Sequence, residues 1–426
     1  MLDIKLIRER PDIAREDLKK RGLPEKMHLL ESLLEKDKEY RLLLGETDNL
    51  RHRRNLKTEE IRKRKLEGED ISKHREEVRE DLEKLKKLEE TAEELKNQID
   101  SILYQLPNIL HESVPKGKDD SENEEVKVWG KAHKFHFKPL GHEEIGIKLG
   151  ILDIERASKI SGARFFFLKN EGVLLDLALQ RLALDILREK GYSLYLPPFL
   201  MKRGPYEGVV DLKDFDDVMY KTDDDLYLIA TSEHPLVAQF QNETLEEDSL
   251  PIRLAGISTC FRKEAGSHGK DTKGIFRVHQ FNKIEQIIIS TPDSWNLHEE
   301  LLKNTEHIFQ KLELPYRVVN VCTGDIGSIA AKKYDLEVWM PVQEKYREAA
   351  SCSNCTDYQA RRLKIRYGKK GSAPSGFVHT LNNTALATSR TIVAILENFQ
   401  HEDRSLTIPQ ALRPYMSGIK KLEMKN

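Results

Sequence analysis

The run CFRKEAGSHGKDTKGIFRVHQFNKIEQ, residues 260–286, gathers the residue types that could hold a nucleotide. Arg262 opens a first short β-run, and Glu264 follows two residues later on the same strand face. Phe281 and Glu285 recur on a second run, and a polar, glycine-punctuated loop, Ala265 to Gly274, joins the two. A guanidinium fork suits a phosphate, a flat ring suits a purine, and the carboxylates of Glu264 and Glu285 can accept from amino groups. A charged surface ribbon is the plain alternative for the hairpin taken alone.

Three other places carry candidate chemistry. Ala230-Thr231-Ser232-Glu233 follows a strand over 226–229; by itself, Ser/Thr-x-Glu before a helix is also a capping signal. In REAASCSNCTDYQARR, residues 347–362, Glu348 and Ser351 offer a carboxylate and a hydroxyl that can share a hard cation such as Mg²⁺, although a solvated loop has the same composition. Residues 376–400 read as a strand, a polar turn at Asn382-Asn383-Thr384 and a helix carrying Arg390. Neither a G-x-x-x-x-G-K-[ST] loop nor a G-x-G-x-x-G fingerprint is present, so phosphates must be held another way. No Ser-His-Asp or Cys-His constellation is evident either.

The elements that position these groups belong to a chain of 426 residues, long enough for two or three domains. Its apolar runs fall well short of a bilayer span, and MLDIKLIRERPD lacks the pattern of a signal or transit peptide, so a cytoplasmic home with no membrane partner is expected. A formal net charge of −2 excludes a whole-protein pull toward nucleic acid; any RNA contact must come from local patches. The four cysteines, Cys260, Cys322, Cys352 and Cys355, do not suggest a disulfide framework. The lone C-x-x-C at 352–355 has neither a second pair nor nearby paired histidines, so free thiols are expected and zinc is not.

Residues from about 25 to 106 read as two long helices reversing at Glu67-Gly68-Glu69-Asp70. Leu88, Ala92, Leu95, Ile99, Ile102 and Leu106 alternate four- and three-residue steps, a coiled-coil seam that Val78, Leu82 and Leu85 extend with a break of phase before Leu88. Leu30, Leu33, Tyr40 and Leu44 can face it, which predicts an antiparallel hairpin arm. Its distal end carries Arg51, Arg53, Arg54, Lys57, Arg62, Lys63, Arg64 and Lys65, and Arg51, Arg54 and Thr58 stand where seam residues are expected. Such a run is either a solvated face or an RNA contact. After a linker over 107–123, strand and helix patterns alternate irregularly, which argues for an α+β body. Residues 174–191 predict an amphipathic helix ended by Gly191, followed by a strand over 192–196 and Pro197-Pro198.

The hairpin resembles motif 2 of the class II aminoacyl-tRNA synthetases. With the N-terminal run, LPNILHESVPKGKDD at 106–120 and GFVHTLNNTALATSRTIVAILENFQ at 376–400, nearly the whole chain resembles the archaeal-like seryl-tRNA synthetases. The resemblance implies an antiparallel class II sheet flanked by helices over 111–426 and a tRNA-binding helical arm domain over 1–110. It implies a homodimer built on the helix and strand over 174–196. It implies that serine is activated with ATP to seryl-adenylate and transferred to tRNA(Ser), gripped through its long variable arm by the basic arm residues, with tRNA(Sec) a second acceptor where present. Serine would meet Thr231, Ser232, Glu233, Arg262, Glu285 and Thr384. ATP would meet Arg262, Lys263, Glu264, Val278, Phe281, Glu348, Ala349, Ala350, Ser351 and Arg390, with Mg²⁺ on Glu348 and Ser351; Arg262, Glu264 and Arg390 would carry the catalysis. Where bacterial forms commonly have glycines, this sequence has Asn383, Ala385 and Ser389, which leaves the contacts of Asn382 and Asn383 open. Two rivals keep the fold but lose the function: a synthetase-like enzyme that loads a carrier protein, which would lack the arm, and a catalytically dead RNA-binding scaffold, which would lack the charged residues.

Overall fold

A computed structural model of the chain describes residues 1–210, 218–264 and 274–424, and these fall into two compact units, 1–109 and 110–426.

In the first unit, α1 (Ile4–Glu9), capped by the Asp3 side chain, and α2 (Pro11–Lys20) precede the long helices α3 (Met27–Leu66) and α4 (Ser72–Gln105). The reversal between the long helices uses Gly68 at φ +75°. Near its root the hairpin has the expected seam: Leu30, Leu33, Ala92, Leu95, Ile99, Ile102 and Leu106 are buried. Farther out the seam departs from expectation. Leu82 is 46% exposed and Asp81 is buried in its stead. With Asp81 inward, positions 74, 78, 81, 85 and 88 keep the four–three alternation, so the phase does not break. On α3, Leu44 is exposed while Leu43 is half-buried. Arg54, Lys57, Ile61 and Arg64 take the half-buried distal positions, whereas Arg51 and Thr58 are exposed. The reason is ionic: Arg53 donates to Asp81, and Lys57 Nζ lies 3.1 Å from Glu77 and 3.2 Å from Asp81.

The second unit is built on eight strands: β1 (Glu124–Trp129), β2 (Ser193–Tyr195), β3 (Ile252–Phe261), β4 (Gln280–Ser290), β5 (Tyr316–Asn320), β6 (Lys332–Met340), β7 (Lys345–Asn354) and β8 (His379–Ala387). They form one sheet in the order β1-β5-β6-β7-β8-β4-β3-β2. All neighbours are antiparallel except the edge strand β2, which runs parallel to β3. The helices that matter here are α5 (His142–Lys148), α6 (Glu171–Glu189), α7 (Glu233–Ala238), α8 (Trp295–Lys311) and α9 (Tyr358–Leu363), with α10 (Thr388–Asn398) following β8. Apolar residues of α6, α8 and α10 share one core with Ile284, Ile288, Val318, Leu336 and Leu381 of the sheet. As anticipated, a glycine stops α6: the helix ends at Glu189 and Gly191, two residues on, has φ +83°. The sequence predicts a polar turn at Asn382-Asn383-Thr384, but β8 continues through it, with a bulge only at Ala385, and all three side chains find hydrogen-bond partners inside the sheet layers. No helix of the described residues is long and apolar enough to cross a membrane.

Candidate active site

On β4, alternation sends Phe281, Lys283 and Glu285 to one face and Ile284, Gln286 and Ile288 to the helix-covered other. The first face floors a cavity of about 580 Å³, lined among others by Thr231, Glu233, Arg262, Glu264, Phe281, Glu285, Glu348, Ala349, Ser351, Thr384 and Arg390. Segments far apart in the chain therefore converge on one space.

The hairpin is shorter than the sequence predicts. β3 stops at Phe261, so Arg262 and Glu264 follow the strand and do not share a strand face. Arg262 still extends the ladder, its N–H donating to His279 O at 2.9 Å, but Glu264 adopts φ +50° and the chain leaves the sheet. Residues 265–273, part of the expected joining loop, lie outside the described residues. Arg262 Nε donates to Ala230 O at 3.4 Å, and its guanidinium carbon sits 5.3 Å from the Phe281 ring centre, a cation–π distance. Glu264 Oε2 accepts from Arg277 at 2.8 Å.

A second cluster lies where β3, β4 and β8 meet α7. Thr384 stands opposite Glu285 in register and donates its hydroxyl to Glu285 Oε2 at 3.1 Å; Lys283 Nζ is 2.6 Å from the same oxygen. Glu233 Oε1 accepts from Gln359 at 2.9 Å and from Asn382 at 3.1 Å. Burial, reinforced by the charge of Glu285, pushes the Glu233 carboxyl up to about 7. Opposite Glu285 on β3 is Gly256, where a Cβ would lie 2.5 Å from Ser232 Oγ; the bare glycine lets the 231–233 segment rest on the sheet.

Glu348 and Ser351 are three residues apart, a spacing that on a regular strand puts side chains on opposite faces. A β-bulge resolves this. Glu337 pairs with Glu348 and Leu336 with Ala350, so Ala349 is the extra residue, and Glu348, Ala349 and Ser351 all reach the cavity. From α10, Arg390 donates to the Glu348 carbonyl at 2.9 Å and lies 3.1 Å from its Oε1. Its charge, together with those of Lys333 and Arg262, holds the Glu348 carboxyl well below the usual carboxylate range despite burial. Asp335, paired in register with Ser351, is buried, and its Oδ1 has no hydrogen-bond partner among the described residues. Asp335 does not line the cavity and its Oδ2 lies 3.1 Å from Lys333 Nζ, whereas Glu348 and Ser351, which do line it, are hard oxygen donors of the kind Mg²⁺ takes.

Four expected site residues do not line the cavity. Ser232 is buried and bonds Gly256 O at 3.2 Å. Lys263 donates its backbone N–H to Val218 O at 2.9 Å. Val278 precedes β4 and does not share a strand face with Gln280, and Ala350 faces the helix-side core. Conversely, Arg277, Lys283 and Lys333 line the space without having been singled out, and Cys355, expected only as a free thiol, lines it too. Lys283 could have been found from its two-residue spacing to Glu285, and Arg277 from its place in the charged hairpin. Cys352 and Cys355 are free thiols with separate neighbours, His298 O and Asn382 respectively.

Of the arm cations, Arg51, Arg53, Lys57 and Arg64 are engaged with acidic side chains and Arg54 with Asn55. Arg62, Lys63 and Lys65 are exposed.

An antiparallel sheet that presents arginines from a hairpin and from the helix after its last strand, with no phosphate loop, is the core of a class II aminoacyl-tRNA synthetase. Residues 217–399 match the family model described as tRNA synthetase class II core domain (G, H, P, S and T), and residues 1–110 match the Seryl-tRNA synthetase N-terminal domain. The chain is 56% identical to a serine–tRNA ligase of Methanospirillum hungatei over 98% of this chain and 99% of that protein. It superposes with a TM-score of 0.95 on the crystal structure of seryl-tRNA synthetase from Pyrococcus horikoshii complexed with ATP, at 49% identity and full coverage of both chains. A cytoplasmic serine–tRNA ligase from Naegleria fowleri in complex with AMP gives 0.90 at 38% identity, covering 100% of this chain and 99% of that one. This chain belongs to the seryl-tRNA synthetase family.

Proposed function

We propose that the cavity activates serine with ATP and that the enzyme passes the seryl group to tRNA(Ser), with tRNA(Sec) as a further acceptor where the host makes one. The observation that carries this reading is the convergence of Arg262 and Arg390, from segments more than a hundred residues apart, on one cavity that also holds a small polar pocket. In the first step the serine carboxylate attacks the α-phosphorus, the bond to the β,γ-diphosphate breaks, and seryl-adenylate forms. A terminal ribose hydroxyl of tRNA then attacks the acyl carbon and AMP leaves.

No side chain needs to become a covalent intermediate; the residues position and neutralise. Arg262 holds the α-phosphate and serine carboxylate together, with Phe281 flat against adenine and Glu264 accepting from its amino group. Arg390, freed in part from Glu348, holds the γ-phosphate. Mg²⁺, carried by Glu348 and Ser351, would neutralise the polyphosphate when bound. Thr231 and Glu233 receive the substrate ammonium, while Glu285 and Thr384 receive the side-chain hydroxyl. Alanine would leave that last pair without a partner, and threonine must be refused by the pocket wall.

The basic face of the arm suits the phosphates of an RNA helix read by shape, here the long variable arm of the tRNA. A homodimer is supported by an unpartnered apolar strip on α6 and after β2, where Leu177 is 55% and Leu196 73% exposed. A cytoplasmic site of action fits a tRNA substrate. The reading is tested by amino-acid-dependent ATP–pyrophosphate exchange with serine, threonine and alanine, with and without residues 25–106. Serine should drive exchange best, and arm removal should spare exchange while tRNA charging collapses. Best exchange with another amino acid would reassign the enzyme, and loss of both activities would make the arm structural.

A further inference from the structure

We infer that His142 is a positioning residue for Arg390, acting through Phe276; the inference rests on the γ-phosphate role proposed above for that arginine. His142 opens α5, outside all the motif segments, and its ring is clamped at both nitrogens. Nδ1 lies 3.0 Å from Glu397 Oε1, and Nε2 accepts the Ile275 backbone N–H at 3.2 Å. Because an amide N–H can only donate, Nε2 must be the bare nitrogen, and Nδ1 carries the proton toward Glu397. The fit is tight: Gly274 has φ +75°, and a Cβ there would lie 1.9 Å from His142 Nε2. His142, Ile275 and Glu397 are buried, so this clamp is shielded from water.

The residue after Ile275 is Phe276, also buried, and its ring is shared by two arginines. The Arg347 guanidinium carbon is 4.3 Å and the Arg390 guanidinium carbon 5.1 Å from the ring centre. Arg390 and Glu397 lie seven residues apart on α10, about two turns, and so occupy one side of the helix. The contacts therefore close on themselves: Arg390 on Phe276, Ile275 on His142, His142 on Glu397, and Glu397 back along the helix to Arg390. Glu397 Oε2 also accepts from Val342 N at 3.4 Å, and Arg347 donates to Gln343 at 2.6 Å, which ties in the turn between β6 and β7. A side chain as flexible as arginine is held at one place by this ring, beside the Glu348 it already touches.

The test compares ATP with AMP, since only ATP carries the γ-phosphate assigned above to Arg390. In His142→Ala and in Phe276→Leu, the KM for ATP in exchange should rise about tenfold while AMP affinity by calorimetry stays within about twofold, as befits a weakened cation–π attraction and a misdirected guanidinium. The double variant should be no worse than either single one, because both break one chain of contacts. Unchanged KM for ATP, equal weakening of ATP and AMP, or additive effects would each overturn the inference. If His142→Ala does not fold, Phe276→Leu, which keeps an apolar core residue, decides alone. Arg390→Ala is the control: if it fails to separate ATP from AMP, the phosphate role of Arg390 is wrong; if it separates them and the other two variants do not, only the positioning role is.

Discussion

Arg390 and Glu348 meet twice, once at the Glu348 backbone carbonyl, 2.9 Å away, and once at its carboxylate, 3.1 Å away. The cation is thus anchored on a strand while its charge keeps a neighbouring acid ionised. Glu348→Gln retains the carbonyl contact and removes only the charge. Exchange should fall on the order of 100-fold, the scale of losing one electrostatic stabiliser, and the Mg²⁺ concentration for half-maximal exchange should rise. An unchanged Mg²⁺ requirement would remove Glu348 from the cation site.

Glu233 offers a pH signature. With its carboxyl pushed up to about 7, it is mostly protonated at pH 6 and mostly charged at pH 8, and only the charged form attracts an ammonium. KM for serine should fall about tenfold across that interval. The stability sign is opposite: the unfolded chain gives up this proton near the ordinary value of 4.5, so the ligand-free enzyme loses stability as pH rises from there to about 7. Glu233→Gln should flatten both profiles, measured by exchange kinetics and by thermal midpoints.

In the arm, Asp81→Ala leaves Arg53 and Lys57 without their shared acid and should destabilise the hairpin by about 1 kcal/mol, a modest amount because Arg53 is half exposed. Asp81→Leu restores an apolar seam position and should be neutral or stabilising by thermal melting. Neutralising the exposed Arg62, Lys63 and Lys65 should leave the melt alone, weaken tRNA binding, and lower its salt slope by about 0.7 to 0.9 for each phosphate no longer neutralised.

Charges placed on the apolar strip test the dimer. Leu177→Asp and Leu196→Asp should shift the protein to monomer in sedimentation velocity without altering its far-UV circular dichroism, since both side chains are exposed within one chain. A monomeric parent protein would dismiss the interface.

Much of the candidate site's lining was legible because its signals are local. A hairpin rich in Arg, Glu and Phe, a helix with a glycine stop, and a four–three seam all announce themselves within a few residues. The misses share a cause. Asn382-Asn383-Thr384 looks like a turn because asparagine disfavours strands, yet here Asn382 bonds Glu233 and Asn383 bonds the carbonyl of Leu301 on α8. Leu82 looks like a seam residue because it is apolar, yet the partner helix supplies Arg53 and Lys57 to an acid one position earlier. In each case, groups distant in sequence satisfied a polar residue that local preference would leave exposed.

By itself the sequence determined the inventory and the helical periods: which residues could bind phosphate, ring, ammonium or RNA, and where the long helices of the arm and α6 run. Tertiary structure alone decided which of them meet. The bulge at Ala349 turns Glu348 and Ser351 to one side, the strand end at Phe261 releases Glu264 toward Arg277, and a clamp on His142 seats Phe276 under Arg390. Facing depends on register and on the approach of remote segments, and neither is encoded in the spacing of neighbouring residues.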